Sequence, residues 1–176
     1  IIVKHDNTPD GLARTRRLFS TINRRAQPTR QGMNIAIDED DAVAIITRRL
    51  VREHPYLGGL GLVKANKEGL AQKQLPPTAK NAPFLTTLHA LYECNGTLLR
   101  SIHGGIDIHE EIRPDDETLE EYYDYVASIW TLIFQGCPDL QKVINKQIKP
   151  GSLRDPKGEG PLSAIARPLG QMILSE

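Results

Sequence analysis

A run of arginines near the beginning of the chain has the residue types and spacing best suited to chemistry. From Gly11 to Asn34 the sequence has no acidic residue, although the whole chain carries 22 basic and 22 acidic side chains. The guanidinium group is a planar fork of donors that matches the oxygens of a phosphate. A basic region on a neutral protein indicates a local anionic partner. We predict that this partner is nucleic-acid or nucleotide phosphate.

The candidate phosphate-binding residues lie on one predicted helix and just beyond it. They are Arg14, Arg16, Arg17, Asn23, Arg24, Arg25 and Arg30. The amide of Asn23 could contact a base edge or a phosphate, or cap the backbone before Pro28. Because Asp6 and Asp10 would repel phosphate at the start of the helix, we expect the DNA backbone to lie nearer its end. The alternative is a solvated helix face whose arginines pair with carboxylates elsewhere.

Two further motifs resemble ligand sites. An extended segment with His103, Asp107, His109 and Glu110 could gather a divalent metal, but its spacing matches no established ligand motif. Residues 157–160 (Lys-Gly-Glu-Gly) resemble a phosphate loop but lack the Gly-Lys-Ser/Thr ending. We therefore predict an ordinary polar loop in the first case and a flexible turn in the second, with no metal site and no cofactor.

The cysteines and the absence of targeting signals indicate the compartment. Cys94 and Cys137 are far apart and in no Cys-x-x-Cys context, so we expect packing residues and neither a disulfide framework nor a zinc site. The sequence shows no signal peptide or transmembrane run. We therefore expect a cytoplasmic protein without a membrane partner.

Local sequence signals predict the helix that carries most of these arginines. Thr8 as a cap, Pro9 in the first turn and Pro28 as a stop predict a helix over 9–26. Its apolar side is expected to dock and its arginine side to face outward; the apolar side comprises Leu12, Thr15, Leu18, Phe19 and Ile22. A short connector then leads to Asp38, and the acidic residues 38–41 predict the start of a second helix that ends near His54.

The rest of the chain indicates a mostly helical fold with a few short strands (α+β). We predict one domain over 1–176: a basic strand–helix–helix segment (1–53), an irregular connector (54–82) and a helical remainder (83–176). The remainder should contain helices from Phe84 to about Leu99, from Asp115 to Gly136 and from Pro138 to Ile148. The sequence begins directly with a predicted strand at 1–4, so we expect a fragment of a longer protein.

The sequence resembles the C-terminal part of the DGQHR-domain family of DndB-like DNA sulfur-modification proteins. The resemblance is carried by residues 5–9, 16–28 and 34–42, above all by the stretch Leu-Phe-x-x-Ile-Asn-Arg-x-Ala-x-Pro. It implies a fold related to the ParB and sulfiredoxin group. The Asp-Gly-Gln-His-Arg signature is absent and is expected before Ile1.

The resemblance also implies a function. It favours a DNA-binding regulatory protein, acting in transcriptional regulation, from a bacterial phosphorothioate-modification or related defence system. The alternative is a ParB-like nucleotide-hydrolysing or DNA-processing enzyme whose catalytic motif lies upstream; no candidate base or Mg²⁺-binding pair stands out in this chain. A third hypothesis is a scaffold that engages other proteins of the modification system.

Overall fold

The computed structural model describes residues 8–26, 31–72, 75, 81–102, 113–154 and 166, without the side chains of 23–26, 31–33 and 67. Its elements are α1 (Pro9–Ala26), α2 (Gln31–Ile37), α3 (Ala42–Glu53), β1 (Val63–Lys64), α4 (Lys67–Ala71), β2 (Thr86–Thr87), α5 (Leu88–Ile102), α6 (Asp116–Gly136), α7 (Pro138–Ile144) and a 3-10 turn at Pro150–Arg154. The two strands pair in parallel. This architecture confirms the predicted class, mostly α with a few short strands.

Helices α3, α5 and α6 pack together around the main core. Leu50 of α3, Leu91 of α5 and Trp130 of α6 are at most 1% exposed. Their apolar residues recur three or four positions apart, which gives each helix one continuous buried stripe. Burial of these large side chains is the main stabilising contribution to the fold.

A buried polar network connects the same three helices. The amide of Asn95 donates to Thr47 Oγ1 at 2.9 Å, and Asn95 Oδ1 accepts the indole N–H of Trp130 at 2.9 Å. All three side chains are at most 1% exposed. Because a buried polar group without a partner is costly, this network fixes one relative arrangement of α3, α5 and α6.

The end of α3 is held by a buried histidine. Backbone N–H groups of Tyr56 and Leu57 donate to His54 Nδ1 at 3.3 and 3.2 Å. The proton is therefore on Nε2, which lies 3.3 Å from the carbonyl oxygen of Ala127 and 3.2 Å from Thr131 Oγ1. Burial lowers the pKa of His54, so the neutral ring is the form that fits this position.

Three of the predicted helices are confirmed. Helix α1 has the predicted bounds, and Thr8 Oγ1 accepts the N–H of Gly11 at 3.1 Å. Asp41 and Asp115 cap α3 and α6 through their side chains. Caps and acidic first turns are local signals, which explains why the sequence locates these helix starts correctly.

The predicted start of α5 is wrong. The helix begins at Leu88, where Thr87 Oγ1 accepts the N–H of Ala90, and not at Phe84. The preceding residues are extended because the N–H of Leu85 donates to the carbonyl oxygen of Leu62, and Thr86 pairs with Val63. A pairing across more than twenty residues has no local sequence signal, so tertiary structure overrides the local helix pattern at residues 84–87.

Other segments also differ from the sequence-based expectations. The predicted connector before Asp38 contains α2, and the predicted irregular connector over 54–82 contains α4 and buries Leu57 and Leu62. Helix α7 ends at Ile144, short of the predicted Ile148. The predicted strand at 1–4 and the motifs at 103–110 and 157–160 lie outside the described residues. Among the helices that the structure describes, none is long and apolar enough to cross a membrane.

Candidate nucleic-acid interface

Helix α1 carries three of the candidate arginines within the described part of the chain. Arg14, Arg16 and Arg17 are all exposed on this helix. Asn23, Arg24 and Arg25 belong to its last turns, but their side chains lie outside the described residues, as does all of Arg30. The structure therefore describes the side chains of three of the seven predicted phosphate-binding residues and places them on one helix; phosphate binding stays a prediction for all seven.

Two of these arginines contact acidic residues of the loop between α2 and α3. Arg16 Nη1 lies 3.4 Å from Glu39 Oε1, and Arg17 Nε lies 3.1 Å from Asp40 Oδ1. The arginine side chains remain 55% and 45% exposed in these pairs. The ion pairs correspond to the alternative considered from the sequence, in which the arginines pair with carboxylates elsewhere.

The orientation of α1 differs from the predicted one. Leu12, Phe19 and Ile22, which were expected to dock, are 37%, 64% and 46% exposed, whereas Ser20 is buried. Arg16 and Arg17 lie one turn before Ser20 and on the same face of the helix. The face of α1 that contacts the acidic loop therefore includes arginines. The predicted inward apolar face is therefore wrong at three of its five positions, whereas Thr15 and Leu18 are half-buried. Amphipathicity identifies a helix but does not identify its partner.

The acidic loop is itself held rigidly. Asp38 is 4% exposed, and its Oδ1 accepts the backbone N–H groups of Asp40 and Asp41 at 2.9 and 3.2 Å. Asp41 accepts from the N–H of Ala44 through Oδ1 and from the hydroxyl of Tyr92 through Oδ2, the latter at 2.7 Å. Burial and the charge of Asp41 raise the pKa of Tyr92. The hydroxyl therefore stays protonated and remains a donor.

Arg48 of α3 partly neutralises the negative charge of the acidic loop. Its Nη2 lies 3.3 Å from Glu39 Oε1, and its Nη1 donates to the carbonyl oxygen of Ile35 at 2.9 Å. Burial lowers the pKa of Arg48, and the carboxylate of Glu39 opposes that effect. Glu39 thus contacts two arginines: the half-buried Arg48 of α3 and the exposed Arg16 of α1.

The role of the loop as a partner of α1 does not follow from the helix signals in the sequence. Those signals make residues 38–41 a cap and first-turn acids for α3. Asp41 is the cap, but the first turn of α3 contains no acidic residue because the helix begins only at Ala42. The informative signal is charge: the acid-free stretch ends immediately before four consecutive acidic residues. Neighbouring helices joined by a short connector bring such oppositely charged segments together.

Two backbone N–H groups in the first turn of α1 already have partners within the chain. The N–H of Gly11 donates to Thr8 Oγ1 at 3.1 Å, and that of Leu12 donates to the Thr8 carbonyl oxygen at 3.0 Å. These bonds are compatible with the expectation that DNA lies nearer the end of the helix than its start.

The cysteines and metal ligands give no reactive site within the described residues. Burial raises the pKa of Cys94 to about 12, which keeps its thiol protonated, and Cys137 lies at the junction of α6 and α7. In the part of the chain that the structure covers, no three His, Cys, Asp or Glu side chains are grouped to hold a metal.

Comparison with known proteins identifies the family. A family model described as DndB, DNA-sulfur modification-associated, matches residues 7–157. No curated protein and no solved structure matches the chain significantly. The match spans the basic helix, the acidic loop and the three-helix core, so the chain belongs to the DndB family of DNA-sulfur modification-associated proteins.

Proposed function

We propose that this protein is a DNA-binding regulator of a bacterial DNA phosphorothioate-modification or related defence system, and that α1 contacts the phosphate backbone. Membership of a DNA-sulfur modification-associated family supports an association with DNA. The observation that carries the proposal is a helix with three exposed arginines, Arg14, Arg16 and Arg17, in an acid-free stretch of sequence.

The ion pairs of α1 are compatible with this role. Exposed arginine–carboxylate pairs contribute only about 0.2–1 kcal/mol because water and salt screen them. A phosphate oxygen can take the place of Glu39 or Asp40 against the same guanidinium group, and it adds the free energy of counterion release. In this proposal the acidic loop holds the arginines in place until DNA displaces it.

The first test removes the arginines. We expect Arg16→Ala with Arg17→Ala to weaken binding to duplex DNA and to reduce the slope of log K against log salt by about 0.9 for each phosphate that is no longer neutralised. Arg52→Ala is the matched control, because Arg52 is exposed on α3 and pairs with Glu53. Fluorescence anisotropy at several salt concentrations measures both quantities. Unchanged affinity and slope in the double variant would refute the proposal.

The second test removes the competing carboxylates. Glu39→Gln with Asp40→Asn leaves Arg16 and Arg17 without their acidic partners while preserving the shapes of the side chains. If DNA uses these arginines, affinity should increase; if the arginines serve only to attach α1, affinity should stay the same. The pair of variants thus distinguishes a phosphate-binding role from a structural one.

A third test concerns the position of the DNA along α1. We expect the backbone to lie beside Arg17, Arg24, Arg25 and Arg30. Charge reversal at Arg25 or Arg30 should therefore reduce affinity more than charge reversal at Arg14, at fixed salt and with folded variants. The opposite ranking would place the DNA at the start of the helix.

The regulatory role needs a separate readout. A promoter of the modification genes fused to a reporter should respond to the wild-type protein and not to the Arg16→Ala, Arg17→Ala variant. Other proteins of the modification system are also proposed as partners, and a pull-down that survives nuclease treatment would distinguish direct protein contacts from contacts through DNA.

A further inference from the structure

A groove lies between the end of α7 and the residues that precede β1 and β2. The proposed DNA contacts do not use it. Its volume is about 630 Å³, within the range of about 300–1,000 Å³ that is typical of small-molecule sites. Buried residues Leu62, Val143 and Pro150 contribute to its lining. The groove therefore offers an apolar surface for a ligand body.

The groove also has basic and polar lining residues. Lys146 and Lys149 line it together with Asn81 and Gln147, and none of its lining residues is acidic. Neither lysine forms an ion pair with a described residue, in contrast to Lys142, which lies 3.0 Å from Asp139. An anion in the groove would thus meet two cations that no described carboxylate neutralises.

Lys146 occupies a backbone conformation that costs stability. Its φ of 57° is in the left-handed region, where it is the sole non-glycine example among the described residues. Lys146 N–H donates to the carbonyl of Val143 and Gln147 N–H to that of Lys142, at 3.0 and 2.8 Å. This is the Schellman ending of a helix, whose left-handed position is usually glycine. The fold tolerates a strained residue here, and that residue points to a use for the lysine side chain.

The polar residues Asn81 and Gln147 indicate which class of anion fits the groove. A fatty acid or another aliphatic anion would leave the amides of Asn81 and Gln147 without new partners. A heterocycle carries donors and acceptors on its edge that amides can bind, and its flat faces suit an apolar wall. We infer that the groove binds a nucleotide, with the heterocycle against the apolar lining and the phosphate beside Lys146 and Lys149.

The test uses the intact chain and the four deoxynucleoside 5′-monophosphates as probes. We expect saturable shifts of the backbone amide NMR signals of residues 147–149. Inorganic phosphate and laurate serve as controls for an anion alone and for an aliphatic anion. No saturable shift with any nucleotide, or tighter binding of laurate than of the nucleotides, would overturn the inference.

The variants separate binding from folding. Lys146→Gly should weaken nucleotide binding about three- to tenfold, as expected for the removal of one hydrogen bond of ordinary net strength at an exposed position. It should also raise the Tm by about 2–4 °C, because glycine relieves the strain at this position. Lys149→Gln should weaken binding without that gain, and Lys142→Gln should change neither. Equal affinity of wild type, Lys146→Gly and Lys149→Gln would overturn the inference. None of these residues belongs to α1, so this result is independent of the DNA-binding tests.

Discussion

Helices α1 and α3 begin in the same way and are held in opposite ways. Each has a polar cap, through Thr8 in α1 and Asp41 in α3, and each has an amphipathic sequence. Helix α3 buries its apolar stripe, with Leu50 fully buried, whereas α1 leaves Phe19 64% exposed and contacts the fold through arginines. The difference indicates that α3 is part of the structural core and that α1 is attached by exchangeable contacts.

The strongest test of this comparison is a matched pair of truncations. Leu50→Ala should lower the free energy of unfolding by about 2–5 kcal/mol because it leaves a cavity among α3, α5 and α6. Phe19→Ala removes a larger side chain but should lower it by less than about 0.5 kcal/mol because that ring is mostly in water. Chemical denaturation measures both values. Equal decreases would show that α1 is packed as firmly as α3.

The polar network should be the next most sensitive part of the core. Asn95→Ala leaves the indole N–H of Trp130 and the hydroxyl of Thr47 without their buried partner, and we expect a decrease in stability of about 1–3 kcal/mol for an unsatisfied buried group. Thr47→Val in the same background should cost less than it does alone, because the two residues share one hydrogen bond. Additive effects in this double-mutant cycle would contradict the proposed coupling.

Helix α3 should also respond to pH. Because the pKa of His54 is lowered in the folded state, the unfolded chain binds the proton more tightly near pH 6.5. Stability should therefore be fully present above that pH and should decrease as the pH falls below about 6.5 toward the lowered pKa of His54 in the folded state. His54→Asn retains an acceptor for the N–H groups of Tyr56 and Leu57 and should flatten this dependence. The lowered pKa values of Glu53 and Glu120 act only below about 4.5, outside the window.

Helix α1 should respond to salt, and here we expect the smallest effect on global stability. Glu39→Gln with Asp40→Asn should increase amide hydrogen exchange in α1 while changing the denaturation midpoint very little. Added salt should have the same effect on the wild-type protein because it screens the exposed pairs. If salt and substitution leave α1 protected, contacts other than these ion pairs hold the helix.

The sequence predicts local structure well and long-range structure poorly. The bounds of α1 and the starts of α3 and α6 follow from caps, prolines and acidic first turns, which act within a few residues. Helix α2, the pairing of β1 with β2 and the delayed start of α5 depend on residues distant in sequence, so no local pattern indicates them. The arginines of α1 are located correctly on their helix from the sequence, but their contacts with Glu39 and Asp40 depend on how two helices meet.

The candidate groove illustrates the same limit. Lys146 and Lys149 stand out in the sequence only as two lysines near the end of a predicted helix. Their significance arises from the left-handed φ of Lys146 and from the approach of residues 60–62 and 81–83 to the end of α7. Neither fact has a local sequence signature, whereas the phosphate-binding hypothesis for α1 can be stated from charge alone.

The hydrogen bonds of Arg154 set a practical limit on shortening the protein. This buried side chain donates to the carbonyl oxygens of Leu85 and Phe84, both at 2.8 Å, and thereby connects the turn after α7 to the entry of β2. A truncated variant that ends before residue 154 would leave these two carbonyl oxygens without their hydrogen-bond donor, next to the position where the parallel strands pair. Designs of a minimal domain for crystallisation or for fusion to a reporter should therefore retain this arginine, since the entry of β2 and the turn after α7 support each other.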